Sequence, residues 1–481
     1  MWKVESGELR IKPVKRRRNK IEPLQSILNA REQRALLKNK IAGRGYPCVS
    51  LSLNVPGFPK SNPTVNYFFK YCLQDLQFML KAHLVEVHDK EAIEKCDAAG
   101  DFYVAPFTAG SMTITEIKQM CENFEEGHPL GRYIDVDVND ESGNCISSGK
   151  SKMCFYCQVR PAIECRREQA HDMIQMRSLM FSNMKDYCNR QRESLLSKHL
   201  ASLGLKALLY EISLTPKPGL VDRLSNGSHE DMNFLTFADS SSAISLYFEE
   251  LVQAGFAFHD EDYTRALPIV RNIGLRMEAA MFQATGNINT HKGLIFLMGV
   301  ALFSCGKLYS SLNEFDTEYF RSIVRDICRD IVKRELMDSK PSNSTHGLDV
   351  FQSSGFSGAR GEAEGGFKTV FEIGLPHLAE ENQLNDTALI QCFLAIAAQN
   401  MDTNILFRGG QEVLTSFQDL CKAALKDLSD SNYLKVAEFC RNEYISPGGS
   451  ADLLALAIFF WSVMKCESPF YFSPLIKRYD I

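Results

Sequence analysis

The sequence lacks the features of a secreted or membrane-spanning chain. Its longest apolar runs, residues 294–305 and 453–461, are well short of the ~20 residues that a helix needs to cross a bilayer. No secretory signal precedes the first helical pattern, and the fifteen cysteines follow no evenly spaced framework, so we expect reduced thiols. These absences favour a cytoplasmic protein without a membrane partner.

Two common nucleotide-binding signatures are also missing. Residues 299–307 differ from a Walker P-loop in glycine spacing, and Leu308 stands where a Ser or Thr is required. No dinucleotide-binding glycine fingerprint is present either. The net charge of −5 gives no overall attraction to nucleic acid. The exception is residues 1–21, a basic arm for which we expect disorder.

The period of the hydrophobic pattern changes along the chain. Up to about Arg177, helical stretches are interspersed with short alternating ones, whereas the later periodic segments are almost all helical. The sequence therefore predicts three parts after the basic arm: an α+β N-terminal domain at residues 22–178, a connecting helix or linker at 179–200, and a mostly all-α C-terminal domain at 201–481.

Two carboxylates are prominent in the N-terminal part. In the strand-like residues 131–138, alternation puts Ile134, Val136 and Val138 on one face and Asp135 and Asp137 on the other. Adjacent hard oxygen ligands suit a Mg²⁺ ion that also binds a polyphosphate. The alternative from the pattern alone is a solvated edge strand.

A second group of residues has the order of a metal site. Cys154 and Cys157 are separated by two residues, and Cys165 and His171 follow. Two thiolates at that spacing can chelate one ion from a single turn, so the group is compatible with tetrahedral zinc. The alternative is a set of free thiols in a small core.

Five polar segments lie between the predicted helices of the C-terminal part; four combine Gly with charged residues, and the fifth is a Gly-rich helix start. The segment at 402–410 is expected to end a helix at 387–400, and two others begin apolar helices, where backbone amides bind anions. Each alone could be a helix cap or a salt bridge. Together they predict a polyphosphate site with carboxylates for metal binding and proton transfer. The segments are residues 215–223, 286–293, 358–363, 402–410 and 447–450.

Several of these segments resemble motifs of two enzyme families. From about Ala201 onward the chain resembles the triphosphoribosyl-dephospho-CoA synthase family, through TPKPGLVDR (215–223), NTHKG (289–293), GARGEA (358–363), DTN (402–404) and SPGGSADLL (446–454). Residues 22–177 resemble the citrate lyase holo-acyl-carrier-protein synthase family, a phosphoribosyl-dephospho-CoA transferase, through NVPGFPK (54–60), GRYIDVDV (131–138) and the Cys-x2-Cys segment.

The resemblance implies a fused bifunctional transferase of citrate lyase prosthetic-group biosynthesis. The C-terminal domain would join ATP to 3′-dephospho-CoA and release adenine. The N-terminal domain would then transfer the phosphoribosyl-dephospho-CoA group to a serine of the citrate lyase acyl carrier protein, the gamma subunit, and release pyrophosphate.

The implied roles follow from the charges that each step develops. Cleavage between adenine and ribose needs carboxylates for an oxocarbenium-like centre and for proton transfer, for which the candidates are Asp222, Glu362 and Asp402. Asp135 and Asp137 would hold Mg²⁺ in the second step. The residues expected to bind the phosphates and nucleotides are Lys60, Arg132, Lys217, Arg223, His291, Lys292, Arg360, Arg408, Gly448 and Gly449.

Two other interpretations remain open from the sequence. The equivalent apparatus of malonate decarboxylase shares the C-terminal motifs, although the Asp-x-Asp and cysteine segments favour citrate lyase. The N-terminal part could also be a zinc-stabilised, non-catalytic binding module for nucleic acid, but residues 135–141 are acidic, and we expect no nucleic-acid partner.

Overall fold

The structure is a computed structural model that describes residues 22–147, 149, 152–337, 351–352 and 355–465. The basic arm predicted for residues 1–21 lies outside this part of the chain. The fold is mostly helical, with a small antiparallel sheet near the N-terminus. It divides into two compact units, and the boundary falls between Arg190 and Gln191.

The first unit is built on an antiparallel sheet with strand order β2-β4-β1-β5, with β3 also paired to β4. Strand β4 is buried along almost its whole length, which makes it the centre of this core. The strands are β1 (Cys48–Leu53), β2 (Glu86–Val87), β3 (Ile93–Asp97), β4 (Gly100–Thr108) and β5 (Ile134–Asn139). The sequence pattern missed β3, because its mixed, mostly exposed side chains do not alternate.

The helices of the first unit begin where the sequence supplies caps. Asn62 accepts a hydrogen bond from the amide of Val65 with Pro63 at the first helical position, and Thr113 and Glu116 form a capping box. These helices are α1 (Glu22–Ala42), α2 (Pro63–Ala82), α3 (Ile114–Gly127) and the short α4 (Ala162–Arg167).

Helix α5, Met173–Ser213, is much longer than the connection predicted at residues 179–200. No proline interrupts these 41 residues, and the helix ends just before the rigid Thr215-Pro216 step. The boundary between the two units therefore falls inside a helix rather than in a loop.

The second unit is helical throughout its described part. Its helices are α6 (Phe234–Ser245), α7 (Phe248–Ala257), α8 (Ala266–Thr285), α9 (Lys292–Tyr309), α10 (Thr317–Ile327), α11 (Gly358–Glu364), α12 (Asp386–Ala397), α13 (Thr403–Lys426), α14 (Asp430–Asn442) and α15 (Gly448–Met464). One expectation is wrong: residues 408–410 do not end the helix before them but lie inside α13. Asp402 caps a new helix, α13, before these residues are reached. Gly410, whose φ is positive (74°), then introduces a kink inside α13.

Helix α9 is the centre of this core. Among the described helices it is the one long and apolar enough to cross a membrane, and 72% of it is buried inside the fold, as expected of a core helix. Helix α7 approaches it closely through two glycines. A methyl group on Gly306 would overlap the carbonyl oxygen of Val252, and one on Gly255 would overlap that of Phe303.

This contact predicts opposite effects for two glycine substitutions in helices. Gly306→Ala should lower the free energy of unfolding by about 1–3 kcal/mol, because the backbones of α7 and α9 must separate. Gly274→Ala in α8 is the control: its new methyl group would lie at an ordinary 3.7 Å from Ile295 Cγ2, so it should be neutral or stabilise by about 0.5–1 kcal/mol. Urea unfolding of both variants measures these changes in the free energy of unfolding. Equal changes in the two variants would contradict the close contact between α7 and α9.

Candidate functional site

The five polar segments of the second unit meet at one cavity of about 610 Å³. They come from loops and helix starts that are far apart in the chain, yet each contributes to the lining. The predicted site residues that line the cavity are Lys217, His291, Lys292, Glu362, Arg408, Gly448 and Gly449. Four other predicted residues, Asp222, Arg223, Arg360 and Asp402, are outside the lining.

Lys217 forms a buried ion pair at the cavity wall. Its Nζ lies 2.5 Å from Glu211 Oε1, and the two side chains are 2% and 7% exposed. Glu211 comes from the last turn of α5 and was missed by sequence reasoning, because nothing distinguishes it from a solvated helical carboxylate. In the fold it neutralises a cation that the sequence assigned to phosphate.

His291 lines the cavity and has a buried ring nitrogen that is unpartnered among the described residues. Nδ1 is 2.7 Å from Ser240 Oγ, while the buried Nε2 has no hydrogen-bond partner among the described residues. Burial, with the charge of Lys217 adding to it, lowers the pKa of His291 to about 3, so the imidazole is neutral. A neutral ring with one free nitrogen can hydrogen-bond to a ligand without adding charge.

Glu362 faces the cavity but is held by the protein. Its carboxylate accepts hydrogen bonds from the amide and hydroxyl of Thr369, both at 2.8 Å, and burial raises its pKa despite these bonds. Arg360, two residues earlier, instead donates to Glu335 Oε2 at 2.9 Å and does not line the cavity.

Asp222 and Asp402 act within the walls of the cavity. Asp222 accepts bonds from the amides of Lys217, Leu224 and Ser225 at 2.7–2.9 Å, which closes its own loop. Asp402 caps α13 and also accepts from the amide and hydroxyl of Ser450, at 2.8 and 2.9 Å. Burial raises the pKa of Asp402. Both carboxylates therefore hold backbone segments that line the site.

The remaining predicted cations are more exposed. Lys292 forms an ion pair with Glu278 at 3.2 Å, and Arg408 donates to the carbonyl oxygens of Ser228 and Tyr444. Arg223 donates to Thr215 Oγ1 at 3.3 Å outside the lining. Long, partly exposed side chains of this kind can move toward an anion at low energetic cost.

The start of α15 forms another side of the cavity. A methyl group on Gly448 would approach the side-chain amide of Asn404 to 2.6 Å, and one on Gly449 would lie 3.3 Å from Asp402 Oδ2, so both glycines permit close packing. Asp452, the fifth residue of this helix, also lines the cavity. The sequence reading missed Asp452, although a carboxylate just after Gly-Gly-Ser in an otherwise apolar helix is an available signal.

In the first unit, β5 confirms the predicted alternation. Ile134, Val136 and Val138 are buried, while the side chains of Asp135 and Asp137 are 37% and 40% exposed. The two carboxylates therefore project from one face of the strand, as a metal site requires.

Lysines that the sequence reasoning missed surround this carboxylate pair. Lys152 Nζ lies 3.2 Å from Asp135 Oδ1, and Lys38 Nζ lies 3.1 Å from Asp137 Oδ2. Lys152 also contacts Glu125 at 2.7 Å, a nearly buried carboxylate on α3. Three carboxylates and two ammonium groups from separate elements therefore form one charged surface.

Arg132 and Lys60 are held by backbone oxygens. Arg132 donates to the carbonyl of Met153, and Lys60 Nζ lies 2.6 Å from the carbonyl oxygen of Val55. Burial lowers the pKa of Lys60, and the charges of Arg31 and Arg177 lower it further. The positive charges of Lys60, Arg31 and Arg177 repel one another, and an anionic ligand bound near them would relieve that repulsion.

The cysteine and histidine residues meet as the spacing predicted. The ligand atoms of Cys154, Cys157, Cys165 and His171 all lie within 4.8 Å of one another, and His171 Nε2 is buried without a partner. Amides of Val159 and neighbouring residues lower the pKa of Cys157 to about 6, which favours the thiolate that binds metals. This donor set fits a tetrahedral zinc ion.

Comparisons with known proteins match both parts of the chain. The family model described as ATP:dephospho-CoA triphosphoribosyl transferase matches residues 197–469, and the model described as apo-citrate lyase phosphoribosyl-dephospho-CoA transferase matches residues 22–187.

Whole relatives agree with these matches. "Protein CitXG" of Haemophilus influenzae is 31% identical over 461 residues, which cover 91% of this chain and 96% of the relative. "Protein CitXG" of Leuconostoc mesenteroides subsp. cremoris is 30% identical over 462 residues, with the same coverage. A "Probable 2-(5''-triphosphoribosyl)-3'-dephosphocoenzyme-A synthase" of Photobacterium profundum is 37% identical over 299 residues, 59% of this chain and 95% of the relative.

The buried ion pair predicts a strong dependence of stability on Lys217. Lys217→Met should lower the free energy of unfolding by about 3–5 kcal/mol, because the charge of Glu211 is left buried and unpaired. Adding Glu211→Gln should recover a large part of this loss, since the unpaired charge is then removed. Urea unfolding of the single and double variants tests the pair. A single variant within about 1 kcal/mol of the unchanged protein would contradict it.

Proposed function

Because the chain belongs to the fused bifunctional enzymes of citrate lyase prosthetic-group synthesis, we propose that its two parts catalyse consecutive transfers. The all-α part, residues 201–481, makes 2′-(5″-triphosphoribosyl)-3′-dephospho-CoA from ATP and 3′-dephospho-CoA and releases adenine. The α+β part, residues 22–178, transfers the phosphoribosyl-dephospho-CoA group to a serine of the citrate lyase acyl carrier protein and releases pyrophosphate. Residues 179–200 connect the two, and the enzyme acts in the cytoplasm.

The observation that carries the first activity is the meeting of five separate polar segments at one cavity. Its size suits a ligand of nucleotide dimensions. Lys292 and Arg408 neutralise phosphate oxygens at the rim. The backbone amides of Gly448 and Gly449, at the start of α15, donate hydrogen bonds to an anion. Glu362, fixed by Thr369, stabilises positive charge at the ribose carbon as the adenine bond breaks.

The second activity rests on the exposed carboxylates of β5. Asp135 and Asp137 fit a Mg²⁺ ion, because two hard oxygen ligands project from one face of the strand with solvent access. A Mg²⁺ ion held by these carboxylates would supply positive charge to the phosphoryl group under attack. Lys38 and Lys152, released from the carboxylates, neutralise the departing pyrophosphate, and Arg132 and Lys60 add to this charge.

The match of residues 22–187 to a transferase family favours this activity over a non-catalytic binding module. The citrate lyase description of that family also favours citrate lyase over malonate decarboxylase as the destination of the group. We further propose that Cys154, Cys157, Cys165 and His171 hold a structural zinc ion.

Separate active sites predict separable defects. Asp135→Asn or Asp137→Asn should reduce carrier-protein loading by about 10²–10³-fold, as expected when one charge-stabilising group is lost, and leave adenine release unchanged. Glu362→Gln should do the reverse, slowing adenine release while pre-made triphosphoribosyl-dephospho-CoA still loads the carrier. Mass spectrometry of the carrier protein and chromatography of adenine measure the two steps. Asp89→Asn is the surface control, and loading at the unchanged rate in Asp135→Asn would refute the metal role.

Zinc binding predicts a stoichiometry and a stability change. Protein purified without chelator should contain about one zinc ion per chain, and a strong chelator should lower the unfolding temperature, because ligation free energy is folding free energy. Cys157→Ser should remove the metal, whereas Cys96→Ser, an exposed thiol outside the cluster, should retain it. Elemental analysis that finds no zinc in the unchanged protein would exclude the site.

A further inference from the structure

One carboxylate of the cavity, that of Asp452, has no partner among the residues that the structure describes. Asp452 forms no hydrogen bond or ion pair with the described residues, although it lines the same cavity as Glu211 and Glu362. Those two are satisfied by Lys217 and by Thr369. A polar side chain inside a fold that is not used for folding is available to a ligand.

Asp452 is held against the start of α9. Its Oδ2 occupies the space where a side chain on Gly293 would begin, so glycine at that position allows the carboxylate to reach the cavity. His291, two residues earlier, has the unpartnered Nε2. Residues at the starts of α9 and α15 thus bring a neutral imidazole and a carboxylate, each with polar atoms unpartnered among the described residues, into the lining of one cavity.

The surroundings make this carboxylate a good proton acceptor. Burial raises the pKa of Asp452 well above its usual range, and the charges of Glu211 and Asp402 raise it further. The other charged groups nearby do not relieve it: Lys217 is bound to Glu211, and Lys292 to Glu278. A carboxylate with a raised pKa is better matched to removing a proton near neutral pH.

We propose that Asp452 is the general base of adenine displacement, which rests on the proposed function of this unit. Its carboxylate removes the proton of the attacking ribose hydroxyl of 3′-dephospho-CoA. The hydroxyl oxygen bonds to C1 of the ATP ribose as the bond from C1 to adenine breaks. The electron pair of that bond passes to adenine, which takes a proton from water, and Asp452 returns its own proton to water.

Asp452→Asn in the full chain tests this role. Adenine release should fall by about 10²–10⁴-fold, the usual contribution of a general base, while KM for ATP and for 3′-dephospho-CoA stays within about threefold. The rate of the unchanged enzyme should fall in acid as Asp452 is protonated, and the residual rate of the variant should lose that dependence. Asp419→Asn, an exposed carboxylate paired with Lys422, is the matched control and should keep the full rate.

The unfolding temperature of Asp452→Asn separates a catalytic from a structural role. It should rise if Asp452 is a buried general base and fall if Asp452 stabilises the fold. The raised pKa means that the folded protein binds the Asp452 proton more tightly than the unfolded chain does, so the ionised carboxylate destabilises the fold above the usual carboxyl pKa. Asp452→Asn should therefore raise the unfolding temperature at neutral pH, and the gain should disappear in acid. A lower unfolding temperature, or a variant that does not fold, would assign Asp452 a structural role and overturn the proposal.

A second variant tests the proton transfer itself. Asp452→Ser opens space for a small carboxylate, so added formate should increase its rate of adenine release but not that of the unchanged enzyme. Retention of more than one third of the rate in folded Asp452→Asn, or loss of ATP binding in both variants, would overturn the proposal. Adenine release by the unchanged enzyme in the same assay tests the proposed function. The ratio of the variant rate to the unchanged rate tests the role of Asp452, so the two can fail independently.

Discussion

The second unit depends on the burial of a helix that has almost no polar face. Helix α9, Lys292–Tyr309, can be stable in water only if other helices cover it on every side, and glycines at the contact with α7 let the backbones come close enough to do so. Its few polar residues include Lys292 at the N-terminal end and Ser304 and Lys307 toward the C-terminal end. The cavity lies at the N-terminal end, where the start of α9 contributes His291 and Lys292 to its lining.

The carboxylates around that cavity divide into two classes by what they bond to. Asp222 and Asp402 accept several amide hydrogen bonds each, and these bonds fix loops and helix starts whose other atoms line the site. Glu362 accepts hydrogen bonds from Thr369 in the same way, whereas Asp452 has no hydrogen-bond or ion-pair partner within the described part of the chain. Carboxylates that fix the walls keep the site preorganised, so its groups need not rearrange as charge develops. A carboxylate that lacks such partners in the described part, like that of Asp452, stays available to react under the proposed function.

Local patterns in the sequence predicted local features well. The alternation in β5 and the cysteine spacing each depend on residues close together in the chain, and the sheet and the Cys–His cluster agree with them. The five polar segments were also found, because Gly and charge at helix ends are visible without a fold. The activities themselves came from the resemblance of these motifs to known families rather than from their spacing.

Other features could not be read from the sequence because they depend on distant contacts. The partners of the strand carboxylates, Lys38 and Lys152, come from segments about 100 and 17 residues away from them. Glu211 is one of several carboxylates in α5, and Asp452 lies in the apolar helix α15, so only the fold shows that both reach the cavity. The kink at Gly410 was mistaken for a helix end, since glycine signals both.

The charge balance of the cavity has a consequence for the form in which nucleotide enters it. The charged lining residues in the described part are the cations Lys217, Lys292 and Arg408 and the carboxylates Glu211, Asp231, Glu362 and Asp452, with His229 and His291 made neutral by burial. With all four carboxylates ionised the wall is slightly negative, and the raised pKa values of Glu362 and Asp452 favour protonation, which brings the wall closer to neutral. Under the proposed function, a wall this close to neutral leaves most of the triphosphate charge unbalanced, so ATP would bring its own counter-ion and bind as a metal complex rather than as the free anion.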